Sequence, residues 1–141
     1  MTRSLPSAPS LFDSRPFGFA QVAVITTPMG RMVHVSGQVA WDTERRIIGR
    51  GDVGRQFEKS LENLAIALAS AGGSLDDVGA LRLYIREEYM GEGRRIAEVL
   101  KRTFGEALPC TTWIGVRCLA DEAFLIEVEA APVLLRSAPS T

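Results

Sequence analysis

The run Phe124-Leu125-Ile126-Glu127-Val128-Glu129-Ala130 places two carboxylates two residues apart inside an otherwise apolar segment. Side chains of a strand alternate between faces. Leu125, Glu127, Glu129 and Ala131 are thereby assigned to one face, and Phe124, Ile126, Val128 and Ala130 to the other. The apolar set reads as core. The glutamate-bearing face needs water, cationic partners or a binding site to offset the cost of desolvating charge. Just upstream, Pro109-Cys110-Thr111-Thr112-Trp113-Ile114-Gly115 reads as a companion strand.

Working outward, Phe19 to Thr26 reads as a strand, Thr27-Pro28-Met29-Gly30 as a turn, and Arg31 to Ser36 as the hairpin partner. Asp52 is placed to cap a helix that runs to about Ala71, with Phe57, Leu61, Leu64 and Leu68 at helical spacing. Gly72-Gly73 stops it. A strand from about Val78 to Arg86 puts Leu81, Leu83 and Ile85 on one face and Arg82, Tyr84 and Arg86 on the other. A second helix is predicted from Gly93 to Phe104, with Ile96, Val99 and Leu100 on one side. The order ββαβαββ predicts an α+β fold, a mainly antiparallel sheet with two helices on one face. Residues 1–16 read as a flexible arm, 17–135 as a single domain and 136–141 as a tail.

By alternation Arg82, Tyr84, Arg86, Trp113, Arg117, Glu127 and Glu129 are all expected on the helix-free face. Cross-strand ion pairs would account for the charges. A face that also carries a tryptophan reads better as an interface, so oligomerisation through the sheet is expected.

Composition narrows the class. A chain of 141 residues can bury an ordinary core without staples, and 46% hydrophobic with 23% charged residues is a soluble globular balance. Sixteen basic against 17 acidic residues leave no surplus to neutralise phosphates, so a nucleic-acid partner is not expected. Two cysteines, Cys110 and Cys118, and one histidine, His34, offer neither a disulfide framework nor metal-ligand spacing. The first residues lack the apolar stretch of a signal peptide, and no run is long enough to span a bilayer. A cytoplasmic protein without membrane contact is expected.

Four fragments carry a resemblance: Val33-His34-Val35-Ser36-Gly37-Gln38, Ser60-Leu61-Glu62-Asn63-Leu64, Ala71-Gly72-Gly73-Ser74-Leu75-Asp76-Asp77-Val78, and Ile126-Glu127-Val128-Glu129-Ala130. Each is short, but their order and spacing over residues 17 to 133 resemble the YjgF/RidA family. The resemblance implies a chorismate-mutase-like fold that assembles as a homotrimer with clefts between subunits. It implies hydrolysis of 2-imino or 2-enamino acids to keto acids and ammonia, without metal or organic cofactor. Some members have been described as endoribonucleases.

Carried over by position, the resemblance assigns Ser36, Gly37 and Gln38 to the cleft floor and Phe19 to an aromatic position at the start of the first strand. It assigns Glu127 to the glutamate that activates water. The arginine that grips a substrate carboxylate falls at Thr111, and a helix asparagine of deaminase-active members at Ala97. A threonine hydroxyl does not replace a guanidinium, so 2-imino acid turnover is expected to be weak or absent. Arg82, Arg86 and Arg117 stand as alternative cations. Two readings follow first, a small-molecule imine hydrolase and a non-catalytic ligand-binding trimer, with an endoribonuclease last.

Without the resemblance Glu127 reads first as a structural ion-pair partner; with it, as the site's catalytic group. Glu129 reads as structural, paired with an arginine. Trp113 reads as an interface anchor or as a wall of the ligand pocket, Cys110 as a packing residue beside the cleft, and Cys118 as core. His34 reads as a structural strand histidine.

Overall fold

The structure, a computed structural model, describes residues 1–136. Asp52 opens helix α1 (Val53–Ser70) with extended backbone, and its carboxylate accepts the Arg55 N–H at 3.0 Å. That satisfies one of the amides left free at a helix start. The apolar spacing read from the sequence becomes a buried stripe of Phe57, Leu61, Leu64 and Leu68. Gly72, at φ +82°, turns the chain away in the left-handed region where other residues are strained. Helix α2 (Gly93–Phe104) buries Ile96, Val99, Leu100 and Phe104.

Among the described residues seven strands accompany the helices: β1 (Thr2–Ser4), β2 (Val22–Thr27), β3 (Gly30–Val35), β4 (Ala80–Arg86), β5 (Cys110–Val116), β6 (Ile126–Ala130) and β7 (Val133–Leu135). They form an antiparallel sheet of order β1-β2-β3-β7 and a mixed sheet of order β5-β4-β6. Strands β4 and β6 are antiparallel, whereas β4 and β5 are parallel, as the α2 crossover between them permits. Gln38 stitches the two sheets: its N–H donates to Val128 O at 2.8 Å, and the Val128 N–H returns to Gln38 O at 3.0 Å. Val24, Val33, Leu83, Ile126 and Val128 share one buried cluster with both helices. The α+β arrangement, with two helices over one side of the strands, is as expected.

Buried polar side chains of α1 tie down the loops around this core. Gln56 donates to Ala123 O at 2.8 Å and accepts the Leu125 N–H at 2.9 Å, holding the approach to β6. Asn63 donates to both Val39 O and Trp41 O at 2.9 Å, holding the segment after Gln38. Buried polar groups satisfied this fully are structural.

Four expectations are corrected. The N-terminal segment is no loose arm: Thr2–Ser4 pair with Val24–Thr26, and Leu11, Phe12 and Ser14 are buried. Edge pairing uses backbone groups and needs no side-chain pattern, so a Ser/Pro-rich stretch gave no sign of it. The order gains β1 and β7 at its ends, strands of three residues that carry no readable period. Leu125 lies before the start of β6 and is buried, so the alternation that exposes Glu127 and Glu129 does not reach back to it. Cys118 lies beyond β5 and is exposed rather than core. Of the expected tail, residues 137–141 fall outside the described residues.

Candidate functional site

Strand β6 alternates as its sequence requires, with Ile126, Val128 and Ala130 buried and Glu127 and Glu129 on the helix-free side. The Gln38–Val128 pairing brings Ser36-Gly37-Gln38 alongside β6. Gly37 then lies directly against Glu127. A Cβ built on Gly37 would meet the Glu127 carboxylate at 2.9 Å, closer than real contacts allow. The missing side chain is what makes room for the acid. Glycine at this point is required by close approach rather than by an unusual φ.

A chain of hydrogen bonds fixes this floor. Ser36 Oγ donates to Ala20 O at 2.7 Å, and the Ser36 N–H donates to Gln21 O at 2.9 Å. The Gln38 amide is buried and donates to Gln21 Oε1 at 2.9 Å and to Ser36 O at 2.8 Å. Gln38 is therefore committed to scaffolding, and Gln21 is its partner. Sequence reading passed over Gln21; a polar residue at the mouth of an apolar strand was the available signal. Phe19 joins the same neighbourhood through Ala20, its carbonyl accepting Ser14 Oγ at 2.7 Å and its ring exposed near Phe12. Ser36, Gly37, Gln38 and Glu127 thus lie together, and Phe19 precedes the residue whose carbonyl holds Ser36, with its own ring turned toward Phe12.

The Glu127 carboxyl is half-buried, and burial followed by the neighbouring Glu129 charge raises its pKa above the ordinary carboxylate range. It takes part in none of the hydrogen bonds or ion pairs among the described residues. Glu129, in contrast, accepts both Arg82 Nη1 at 3.0 Å and Tyr84 Oη at 2.9 Å. The structural reading of Glu129 is matched by this geometry. The Gly37 N–H likewise has no backbone partner among the described residues. A basic carboxylate beside a free amide donor can take a proton from water while the amide steadies developing charge.

Thr111 and Trp113 lie elsewhere. In the β4–β5 register Thr111 is beside Leu81 and Trp113 beside Leu83, both on the buried, helix side. Glu127 is beside Tyr84, on the opposite side. The expectation that all share one face is corrected: alternation within each strand was right, but its phase between strands is set by long-range register. Trp113 packs against the start of α2, where its ring would lie 3.3 Å from a Cβ on Gly93. Its Nε1–H donates to Thr111 Oγ1 at 3.2 Å. Thr111 itself is exposed and lines a small cleft of about 120 Å³ with Leu81, Arg82, Cys110, Thr112 and Ala131. A larger cavity of about 310 Å³ lies between the N-terminal segment and Ala20–Val22, and neither Gly37 nor Glu127 lines it.

Of the alternative cations, Arg82 is held by Glu129, and Arg86 by Glu88 and the Glu122 carbonyl. Among the described residues no cluster of His, Cys, Asp and Glu is arranged to hold a metal. No helix among them is long and apolar enough to cross a membrane.

Comparison with known proteins meets this geometry from outside. The family model described as Endoribonuclease L-PSP matches residues 16–134. A RutC family protein of Pyrococcus abyssi is 32% identical over 102 residues, covering 72% of this chain and 78% of its own length. The 3-aminoacrylate deaminase RutC of Acinetobacter baylyi is 30% identical over 105 residues, 74% of this chain and 81% of its own. Among solved structures, a Mycobacterium tuberculosis member of the YjgF/YER057c/UK114 family superposes with a TM-score of 0.76 at 28% identity, covering 95% of this chain and all of that one. The chain belongs to the Endoribonuclease L-PSP family, the YjgF/RidA family that its motifs resemble.

Proposed function

We propose that this chain is a RidA-like small-metabolite protein that hydrolyses reactive imine or enamine groups to carbonyl products and ammonia. The observation that carries the reading is Glu127, a half-buried carboxylate raised in basicity, without a partner among the described residues and seated against Gly37. Glu127 takes a proton from water as the water oxygen bonds to the C=N carbon. The C=N electron pair moves to nitrogen, which receives the proton back from Glu127. The resulting carbinolamine collapses to C=O and releases ammonia. Such general-base assistance is worth about a hundredfold or more in rate, and it needs neither metal nor organic cofactor. The deaminase name of the Acinetobacter baylyi relative supports this class of chemistry.

Thr111 bears on the substrate. Where the family resemblance expects an arginine, a neutral hydroxyl already accepts a bond from Trp113. A carboxylate bound there would forgo a charge-assisted bond worth about 1.5–3 kcal/mol. The favoured substrate is therefore an uncharged imine, with 2-imino acids poor. Glu127 and Thr111 lie on opposite sides of one chain's strands. A cleft that uses both, together with Phe19, Ser36 and Trp113, takes residues from two copies, in keeping with the cytoplasmic homotrimer with inter-subunit sites that the family resemblance implies. Its mass in solution should be three times the 15.3 kDa of the chain.

The test is hydrolysis of an uncharged imine, made fresh from an aldehyde and ammonia, beside freshly generated 2-iminobutyrate. Wild type should accelerate the first and leave the second near the protein-free rate. Glu127→Gln should lose about a hundredfold or more on the uncharged imine. Thr111→Arg should gain turnover of 2-iminobutyrate. Silence of all three proteins on both imines would overturn the hydrolase and favour a non-catalytic ligand-binding trimer, the reading to which the committed Thr111 hydroxyl points. An endoribonuclease ranks last, because a chain with one histidine has no histidine pair for acid–base cleavage of RNA.

A further inference from the structure

The two glutamates of β6 sit on one face about 7 Å apart along the strand, yet their surroundings differ completely. Tyr84 is the direct cross-strand neighbour of Glu127, and Arg82 is the direct neighbour of Glu129. Cross-strand neighbours are within easy reach of one another. The Tyr84 hydroxyl nevertheless passes over Glu127 and donates to Glu129 Oε1, the oxygen that also receives Arg82. The Tyr84 phenol is held above its ordinary pKa chiefly by that bond, and so stays a donor. Other side chains near Glu127 bring it no cation. Ser36-Gly37-Gln38 brings no titratable side chain, and Arg86, further along the same face of β4, is engaged by Glu88 and the Glu122 carbonyl.

We propose that Glu129 is a positioning residue for Glu127: by gathering the Tyr84 hydroxyl and the Arg82 guanidinium onto its own carboxylate, it keeps both from pairing with Glu127. A catalytic base that accepted those donors would be neutralised and directed away from water. Glu129 is half-exposed, so it carries its charge and its two donors at modest desolvation cost, and Glu127 is left free beside Gly37. This inference rests on the reading of Glu127 as the base, but its test does not depend on turnover.

The test is a carboxyl titration by NMR on the full chain labelled with ¹³C at glutamate Cδ, the Glu127 signal being assigned by its loss in Glu127→Gln. In Glu129→Gln the released Arg82 should turn to Glu127, and the midpoint of Glu127 should fall by roughly half a pH unit or more. In Glu129→Gln with Arg82→Gln the midpoint should climb back above that of the single variant. A midpoint unchanged or raised in Glu129→Gln overturns the proposal. A double variant that stays level with the single one also overturns it, because the fall would then reflect through-space repulsion alone. Failure of imine hydrolysis with these shifts intact would remove the enzymatic reading and leave the positioning role standing.

Discussion

Gln56 and Glu127 are both polar side chains withdrawn from water, and they illustrate opposite uses of that cost. Gln56 is fully buried, and its amide meets one acceptor and one donor flanking Phe124. Glu127 is half-buried, its pKa raised by that burial, and it is without a hydrogen bond among the described residues. The first arrangement stabilises the fold by holding the approach to β6. The second costs stability and supplies a proton acceptor. A satisfied polar group marks scaffold, and an unsatisfied one marks a place where something else is meant to bind.

Substitutions should separate the two sharply. Gln56→Ala strands the Ala123 carbonyl and the Leu125 N–H inside the core, and urea unfolding should show a loss of about 3 kcal/mol. A loss below about 1 kcal/mol would mean that water replaces the amide, which would break the contrast. Asn63→Ala leaves the Val39 and Trp41 carbonyls without their shared donor and should cost about 2 kcal/mol in the same assay. Asp52→Ala removes the cap of α1, a smaller effect of about 1 kcal/mol. The backbone bond from Arg55 leads in lowering the Asp52 pKa, so that contribution should be full above the ordinary aspartate range and fade as pH falls through the lowered value.

Glu127→Gln should change stability least, and in the opposite direction. The folded-state pKa of Glu127 is raised, so its ionisation opposes folding at neutral pH. The variant should be slightly more stable than wild type above the raised pKa. That advantage should disappear as pH falls below the ordinary glutamate value, where both folded and unfolded chains hold the proton. Thermal unfolding at pH 4 and pH 7 reads this directly. A variant less stable at pH 7 would show that Glu127 has a structural partner.

Much of the fold was legible because its signals are local. Asp52 before an apolar helical stripe, the Gly72-Gly73 stop, and the alternation in Leu81, Leu83 and Ile85 each lie within a few residues of one another. Glu127 beside Ser36-Gly37-Gln38 came from the resemblance, and the fold brings Gly37 against the Glu127 carboxylate. What was not legible needed distant information. The side on which Thr111 and Trp113 fall depends on the parallel register of β5 with β4, a property of the α2 crossover rather than of either strand. Short β1 and β7 depend on backbone pairing with strands far away in sequence. The commitment of Tyr84 to Glu129 rather than to Glu127 is a diagonal contact that alternation does not rank.

The Gln38–Val128 bridge has a consequence for motion. Among the described residues it is the one β-bridge between the two sheets, and it lies next to the Glu127–Gly37 contact on both strands. Any hinge opening between the sheets must release the Val128 amide to solvent as it draws Gly37 away from the carboxylate. Deuterium uptake at that single amide would therefore clock the opening and closing of the site in the absence of any ligand.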